Sequence, residues 1–187
     1  MTFIKNTLNS NLIEDNIFKV VKQANDAKLK YGDEVIDATI GCLFNEDLSL
    51  SIFNSYYKIF NNLSNNEYAK YAQSYSGNIS FKQAILKHQF KCNIDTLNPK
   101  VIATIGGSGA ISCCLFSLLN QNTTLIIPNI GWSCYKLMAQ QYNLNIIEYE
   151  LFDNNNFNIK SFESTCKYVC SIQKNVVVII NDPCHNP

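Results

Sequence analysis

The sequence predicts an α/β fold with a mostly parallel sheet, and three observations lead to it. Short apolar and β-branched runs recur through the second half of the chain, separated by amphipathic stretches of helical length. The most β-like run is Val-Val-Val-Ile-Ile at 176–180, which we expect to be a buried strand. Polar or glycine-containing turns follow several runs, and ligands in open α/β sheets bind at such carboxyl ends of strands.

In the second half we expect four strands and three helices in alternation. The strands are expected at 101–104, 125–127, 145–149 and 176–180, and the helices at 108–119, 132–142 and 159–172. Strands that alternate with helices of about 10–15 residues indicate right-handed βαβ units with parallel strands.

The first half has a more helical pattern. Apolar positions at helical spacing predict a helix at 14–31 that stops at Gly32. We expect a short strand at 35–40, an amphipathic helix at 50–63, a loop at 68–78 and a helix at 80–90. Ser80 is the expected N-cap of that last helix.

The composition limits the classes of partner. The 187 residues suit one domain, or one domain with part of another, and 47% of them are apolar, which is enough for a core. The formal net charge is zero, so nothing argues for nucleic acid or an anionic membrane, and no apolar run reaches the ~20 residues of a membrane span. All 15 basic residues are lysine. A two-pronged arginine clamp on a carboxylate must therefore come from elsewhere.

The eight cysteines are scattered, and no apolar signal segment follows Met1. We therefore expect reduced thiols in a cytoplasmic protein. Cys166 and Cys170 have a spacing that suits a metal ion, but no second pair supports them, so we predict no metal site.

A glycine-rich turn, Gly106-Gly107-Ser108-Gly109, lies between a predicted strand and a predicted helix. Free amides at a helix start favour an anion, and glycine lets a ligand approach the backbone closely, which describes a phosphate cradle. A tight turn with glycines placed for packing explains the same residues equally well. The turn lacks the lysine of a P-loop and the spacing of a dinucleotide fingerprint.

Two further turns carry candidate ligand-binding residues. Trp132, the only tryptophan, follows a predicted strand and could stack on a flat ring, although a packing role is commoner for a lone tryptophan. The last turn, at 181–187, offers the Asn186 amide as a donor. Asp182 could be a general base but more often such a residue orders the turn, and we favour a structural role for His185.

Five motifs in one order closely resemble the class I/II aminotransferases, enzymes that use pyridoxal 5'-phosphate. They are Asp37-Ala38-Thr39-Ile40-Gly41-Cys42, Tyr71 to Gly77, Gly106-Gly107-Ser108-Gly109-Ala110, Trp132, and Asn181-Asp182-Pro183-Cys184-His185-Asn186-Pro187. The resemblance implies a fold type I large domain, a three-layer αβα structure that is incomplete here. It assigns 1–47 to the small domain and 48–187 to the N-terminal half of the large domain.

The resemblance also implies roles for single residues. Gly107 and Ser108 hold the cofactor phosphate, Trp132 stacks on the pyridine ring, and Asn186 hydrogen-bonds the ring's phenolic oxygen. Gly41 lies beside the substrate carboxylate. Tyr71 reaches the cofactor phosphate of a partner subunit in a homodimer, with Tyr75 as a substitute because the loop is one residue longer than usual.

The family's Schiff-base lysine, its pyridinium-pairing acid and its substrate-clamping arginine all follow the Asn-Pro turn. None has a match in this sequence, so we predict no catalytic residue in this chain and no activity from it alone. The leading hypothesis is the N-terminal part of an aminotransferase acting on an amino acid and a 2-oxo acid. The alternative is a non-catalytic relative that binds phosphate, cofactor or a partner. An unrelated nucleotide-binding domain is a weaker third possibility.

Overall fold

A computed structural model describes residues 16–91 and 94–187. The chain divides into two compact units, with the division after Ala103. The N-terminal unit is described over 16–103, apart from 92–93, and the C-terminal unit over 104–187.

Helices make up the regular structure of the described N-terminal unit. Their bounds are α1 Asn16–Tyr31, α2 Asn54–Phe60, α3 Asn65–Ala69, α4 Ile79–Phe90 and α5 Ile94–Leu97, with a 3-10 turn at Gly32–Glu34. Gly32 ends α1 with a left-handed φ of 64°, as the sequence predicts. The helix predicted at 50–63 covers only Asn54–Phe60. The first two residues of the loop predicted at 68–78 belong to α3. A capping box begins α3, since Ser64 and Glu67 bond each other's backbone amides.

Two further predictions for this unit are wrong. The segment 35–40 is no strand, because it pairs with no other described segment and Ile36 is 93% exposed. Asp37 turns the chain there by accepting from the Thr39 amide at 3.0 Å and the Thr39 hydroxyl at 2.7 Å. These bonds, the amide first, lower the pKa of the Asp37 carboxyl. Ser80 is not the N-cap of α4: the helix begins at Ile79, whose amide donates to the Gln73 side chain.

The C-terminal unit alternates strands and helices as expected. Its elements are α6 Gly106–Leu118, β1 Thr124–Pro128, α7 Cys134–Gln141, β2 Asn145–Tyr149, β3 Phe152–Asp153, β4 Asn156–Phe157, α8 Ile159–Ile172 and β5 Val177–Val178. The sheet has the order β2-β1-β5, and both pairs are parallel, which confirms the predicted parallel sheet. β3 and β4 form an antiparallel hairpin that the sequence pattern did not predict.

Two predicted strands are corrected here. The segment 101–104 forms no strand, since no described strand lies beside it, and its amide at Ala103 donates to Ser76 O instead. The predicted strand 176–180 is reduced to Val177–Val178, with one more bond from Ile179 N to Ile126 O at 3.0 Å. A strand exists only where a neighbour accepts its hydrogen bonds, and local sequence does not supply that neighbour.

The core lies on both faces of β1, so the unit has three layers. Leu125 and Ile127 pack with Leu115 of α6 and Ala139 of α7 on one face. Ile126, between them, packs on the opposite face in a cluster with Tyr149, Leu151 and Val169 of α8. Alternate residues of a strand point to opposite faces, so one buried apolar run holds helices against both sides of the sheet.

No helix in the described part of the chain combines the length and the apolar character needed to cross a bilayer.

Candidate functional site

The loops that follow β1 and β5 leave the same edge of the sheet. Leu125 pairs with Val177 and Ile126 with Val178, in parallel, so the carboxyl ends of the two strands are neighbours. The β1 loop, residues 129–133, carries Trp132, and the β5 turn, residues 181–187, carries Asn186. This edge is where ligands bind in sheets of this kind.

The start of α6 carries free amides. Gly106 has a left-handed φ of 66°, which glycine adopts without strain, and its amide donates to Thr104 O at 3.0 Å. The amides of Gly107 and Ser108, and the Ser108 hydroxyl, bond no other residue within the described chain. A Cβ added to Gly107 would meet nothing within 4 Å. The space above these amides is open, and the first turn has no acidic residue to oppose an anion.

Trp132 is half-buried, and its ring is held in place by Tyr135. Its ring packs edge-to-face on Tyr135, with centroids 5.6 Å apart and an interplanar angle of 89°. Tyr135 is buried in the core, and burial raises the pKa of its phenol, which therefore stays protonated at neutral pH. Gly131 keeps the turn tight, because a Cβ there would lie 3.2 Å from Pro128. Trp132 also packs against the core cluster, so its packing role and a stacking role are compatible.

Asn129 braces the β1 loop against β2. Its Oδ1 accepts the amides of Ile130 and Leu151, each at 2.9 Å, and its own amide donates to Tyr149 O at 2.9 Å. Its Nδ2 donates to the Glu150 carboxylate at 2.5 Å. All of these bonds together fix the backbone that leads to Trp132.

The β5 turn is closed by Asn181 and His185. Asn181 Oδ1 accepts the Asn186 amide at 3.0 Å. His185 Nε2 lies 2.8 Å from Ile130 O in the β1 loop, and Nδ1 lies 3.3 Å from Asn181 O. The side-chain amide of Asn186 is exposed and bonds no other residue of the described chain, so it can donate to a ligand.

Tyr71 and Gly41 lie in the N-terminal unit. Tyr71 is 95% exposed and Tyr75 is fully exposed, so neither phenol is committed to the core of its own unit. The loop between them and α4 is well braced: Gly77 has a φ of 99°, and a Cβ there would lie 2.7 Å from Ala103 Cβ. Gly41 is exposed, with open space around its Cα.

A second place for an anion is the lysine cavity, of about 630 Å³, in the N-terminal unit. Lys82 and Lys100 line it together with Ser76 and Asn98, and none of its lining residues is acidic. Lys82 Nζ already donates to Ser76 Oγ at 2.8 Å, and Lys100 Nζ to Asn98 Oδ1 at 3.0 Å. The lysine cavity offers charge but no ring-stacking residue.

Metal ligands are not grouped in this structure. Within residues 16–91 and 94–187, no three His, Cys, Asp or Glu side chains lie together as a metal site requires. Burial, and then the neighbouring Cys170, raise the pKa of the Cys166 thiol, which opposes formation of a metal-binding thiolate.

Sequence reasoning missed the residues that hold the loops in place. Asn129 and Glu150 act through bonds between strand ends that lie far apart in the sequence. Asn181 acts within its own turn, where its side chain accepts the Asn186 amide. The only local signal was that asparagine commonly follows a strand as a turn residue. Sequence reasoning also did not single out Ser133, the residue after Trp132. Its hydroxyl is buried and has no hydrogen-bond partner among the described residues.

Comparisons with known proteins identify relatives of this chain. The family model for aminotransferase class I and II matches residues 42–187. The tyrosine aminotransferase of Bos taurus is 30% identical over 110 residues, which are 57% of this chain and 23% of that protein. An aminotransferase structure from Anaerococcus prevotii superposes with a TM-score of 0.87 at 26% identity, covering 100% of this chain and 46% of that one.

The aspartate aminotransferase of Plasmodium falciparum gives a TM-score of 0.72 at 26% identity, covering 98% of this chain and 46% of that one. The chain thus spans about half the length of these solved relatives. The similarity confirms the predicted fold class, a partial α/β domain of fold type I with a mostly parallel sheet.

Proposed function

Because this chain belongs to the class I and II aminotransferases, we propose that it binds pyridoxal 5'-phosphate and serves amino-group transfer between an amino acid and a 2-oxo acid. The observation that carries the proposal is the donor set of the C-terminal unit. It combines two free amides at the start of α6, an anchored tryptophan, and a free asparagine amide on the loop beside it. The helix-start amides suit a dianionic phosphate, the tryptophan suits a flat ring, and the asparagine amide suits a ring oxygen.

Each residue has a binding role in this proposal. Gly107 and Ser108 hold the phosphate through their amides and the Ser108 hydroxyl, assisted by the positive end of the α6 dipole. Trp132 covers one face of the ring and excludes water from it. Asn186 donates its side-chain amide to the ring oxygen. The cofactor, when bound, supplies the electron sink for the transfer.

The other assignments rest on family membership together with exposure. Gly41 lines the substrate carboxylate site, and Tyr71 or Tyr75 reaches the cofactor phosphate of the partner subunit in a homodimer. Their exposure leaves both tyrosines available for such a contact. We retain 1–47 as part of the small domain and 48–187 as part of the large domain. Cysteines present as thiols in the described part of the chain, Cys166 and Cys170 among them, support a cytoplasmic location.

Binding without catalysis is the second candidate function, and the basic residues favour it for this chain taken alone. The sequence has no arginine. Lys136, the lysine nearest in sequence to Trp132, is 2.6 Å from the Glu148 carboxylate, and Lys167 is 2.6 Å from Glu163. In keeping with the resemblance, we propose no catalytic residue in these 187 residues.

A fluorescence titration tests the proposal. Pyridoxamine 5'-phosphate is the probe, because it has no aldehyde and cannot form adducts with the 15 lysines. Since Trp132 is the only tryptophan, its emission reports on this site alone. We expect saturable quenching with a Kd on the order of 0.1 mM, as a ligand of this size gives without a covalent bond.

Inorganic phosphate should compete with the probe, and pyridoxamine without its phosphate should bind at least about tenfold more weakly. Assayed by itself with an amino acid and a 2-oxo acid, the 187-residue chain should transfer no amino group. Quenching that does not saturate, or that phosphate leaves unchanged, would refute the proposed site. Turnover by the chain alone would refute the binding-only assignment.

A further inference from the structure

His185 connects the two loops that carry the proposed ring-binding residues. Its Nε2 lies 2.8 Å from Ile130 O, two residues before Trp132, and its Nδ1 lies 3.3 Å from Asn181 O at the base of the β5 turn. We propose that His185 is a positioning residue that holds Trp132 and Asn186 in register for one ring. This inference rests on the proposed function and adds a role to it.

The shorter contact identifies the bond that matters. A neutral imidazole carries one N–H and can donate to only one of two carbonyl groups. The distance of 2.8 Å is typical of a good hydrogen bond, whereas 3.3 Å is at the long end. Nε2 therefore donates to Ile130 O, and this is the bond that crosses from the β5 turn to the β1 loop.

The β1 loop is held from its other side as well. Ile130 donates its amide to Asn129 Oδ1 at 2.9 Å, and Asn129 Oδ1 also accepts from Leu151, just beyond β2. Both polar groups of the Ile130 backbone are thus bonded, the amide to the Asn129 side chain and the carbonyl to His185 of the β5 turn. Without His185 the brace from Asn129 remains, but the link to Asn186 is lost.

The β5 turn has its own internal closure. Asn181 Oδ1 accepts the Asn186 amide at 3.0 Å, so Asn186 keeps a fixed relation to Asn181. His185 adds the relation to the Trp132 loop. Fixing two ligand contacts before binding lowers the entropy cost of binding, and the gain applies to the ring and not to the phosphate.

This distinction separates positioning from a general effect on stability. The proposed phosphate cradle at the start of α6 bonds neither loop among the described residues. Loss of the His185 bond should therefore weaken binding of the ring-bearing probe and leave inorganic phosphate binding unchanged. A variant that merely destabilises the fold would weaken both ligands together.

The test compares His185→Gln with His185→Asn in the full 187-residue chain. The glutamine amide nitrogen corresponds in reach to Nε2, so it can keep the bond to Ile130 O, while the asparagine nitrogen corresponds to Nδ1 and cannot. His88→Asn is the matched control, because His88 is exposed on α4 in the other unit. Circular dichroism checks that each variant is folded.

We expect His185→Asn to raise the Kd of pyridoxamine 5'-phosphate about tenfold, the value of one hydrogen bond. His185→Gln should stay within about threefold of the unchanged chain, and His88→Asn should have no effect. The inhibition constant of inorganic phosphate should be the same in all four proteins. Equal Kd values for the two His185 variants, or a parallel loss of phosphate binding, would overturn the inference.

The steady-state fluorescence anisotropy of Trp132 gives a second readout that needs no ligand. His185→Asn should lower it, because the loop before the ring gains freedom, and His185→Gln should preserve it. If the unchanged chain bound no probe, the proposed function would fail, and the anisotropy would still decide the positioning role. Unchanged anisotropy in a folded His185→Asn variant would overturn that role.

Discussion

Replacing Gly107 by aspartate is expected to weaken pyridoxamine 5'-phosphate binding by about 100-fold while the chain stays folded. The new carboxylate would lie about 5 Å from the bound phosphate, where two like charges repel by roughly 3 kcal/mol at an effective dielectric constant near 20. The fold should tolerate the change, since a Cβ at Gly107 meets nothing within 4 Å and its φ is not left-handed. Aspartate in the first turn of a helix is favourable.

Ser117→Asp is the control for Gly107→Asp. Ser117 is exposed near the other end of α6, so the variant has the same net charge and the same helix. It should bind the probe within about twofold of the unchanged chain. Equal probe affinity in Gly107→Asp and Ser117→Asp, measured by Trp132 quenching, would show that the start of α6 does not bind the phosphate.

The second large effect concerns the strand that carries the β1 loop. Ile126→Ala should lower the free energy of unfolding of the C-terminal unit by about 3 kcal/mol, the usual cost of a cavity at a buried isoleucine. Ile126 is fully buried in the central strand and packs against Tyr149 and Val169. Urea denaturation followed by Trp132 emission reports on this unit, because the tryptophan belongs to it.

Ile180→Ala is the matched control for the core variant. Ile180 is 58% exposed beyond β5, so its truncation should cost less than about 1 kcal/mol. An Ile126→Ala variant as stable as Ile180→Ala would show that the β1 core is packed differently from this description.

Sequence patterns predict the helices and the strands β1 and β2 of the second half well because their signals are local. The strand Asn145–Tyr149 and the helix Ile159–Ile172 begin and end at the predicted residues. The helix has apolar residues at helical spacing, and the polar residues Asn158 and Gln173 flank it. Asn158, for example, caps α8 by accepting the Ser161 amide at 3.0 Å.

The two wrongly predicted strands share one physical cause. Segments 35–40 and 101–104 contain β-branched residues, yet neither has a partner strand in the described chain, so neither forms a ladder. The hairpin of β3 and β4 was missed for the opposite reason. Its sequence lacks a strand-like pattern, but each of its two strands has a partner. Its residues Phe152 and Phe157 pair across a polar turn whose Asn154 adopts a left-handed φ of 54°.

The candidate site was predictable only in part. The order of the motifs and the chemistry of the residue types can be read directly from the sequence. They led us to propose Gly107, Ser108, Trp132 and Asn186. The bonds from Asn129 to Leu151 and from His185 to Ile130 depend on which strand ends become neighbours, and that follows from the sheet order. Of these two residues, sequence reasoning assigned His185 a structural role without identifying its partners.

The measurement that tests the central claim most directly is a crystal structure of this chain with pyridoxamine 5'-phosphate bound. We predict the phosphate within about 3 Å of the Gly107 and Ser108 amides, the ring against Trp132, and the ring oxygen accepting from the Asn186 side chain. Density for the phosphate between Lys82 and Lys100 in the lysine cavity, with the start of α6 empty, would contradict the account.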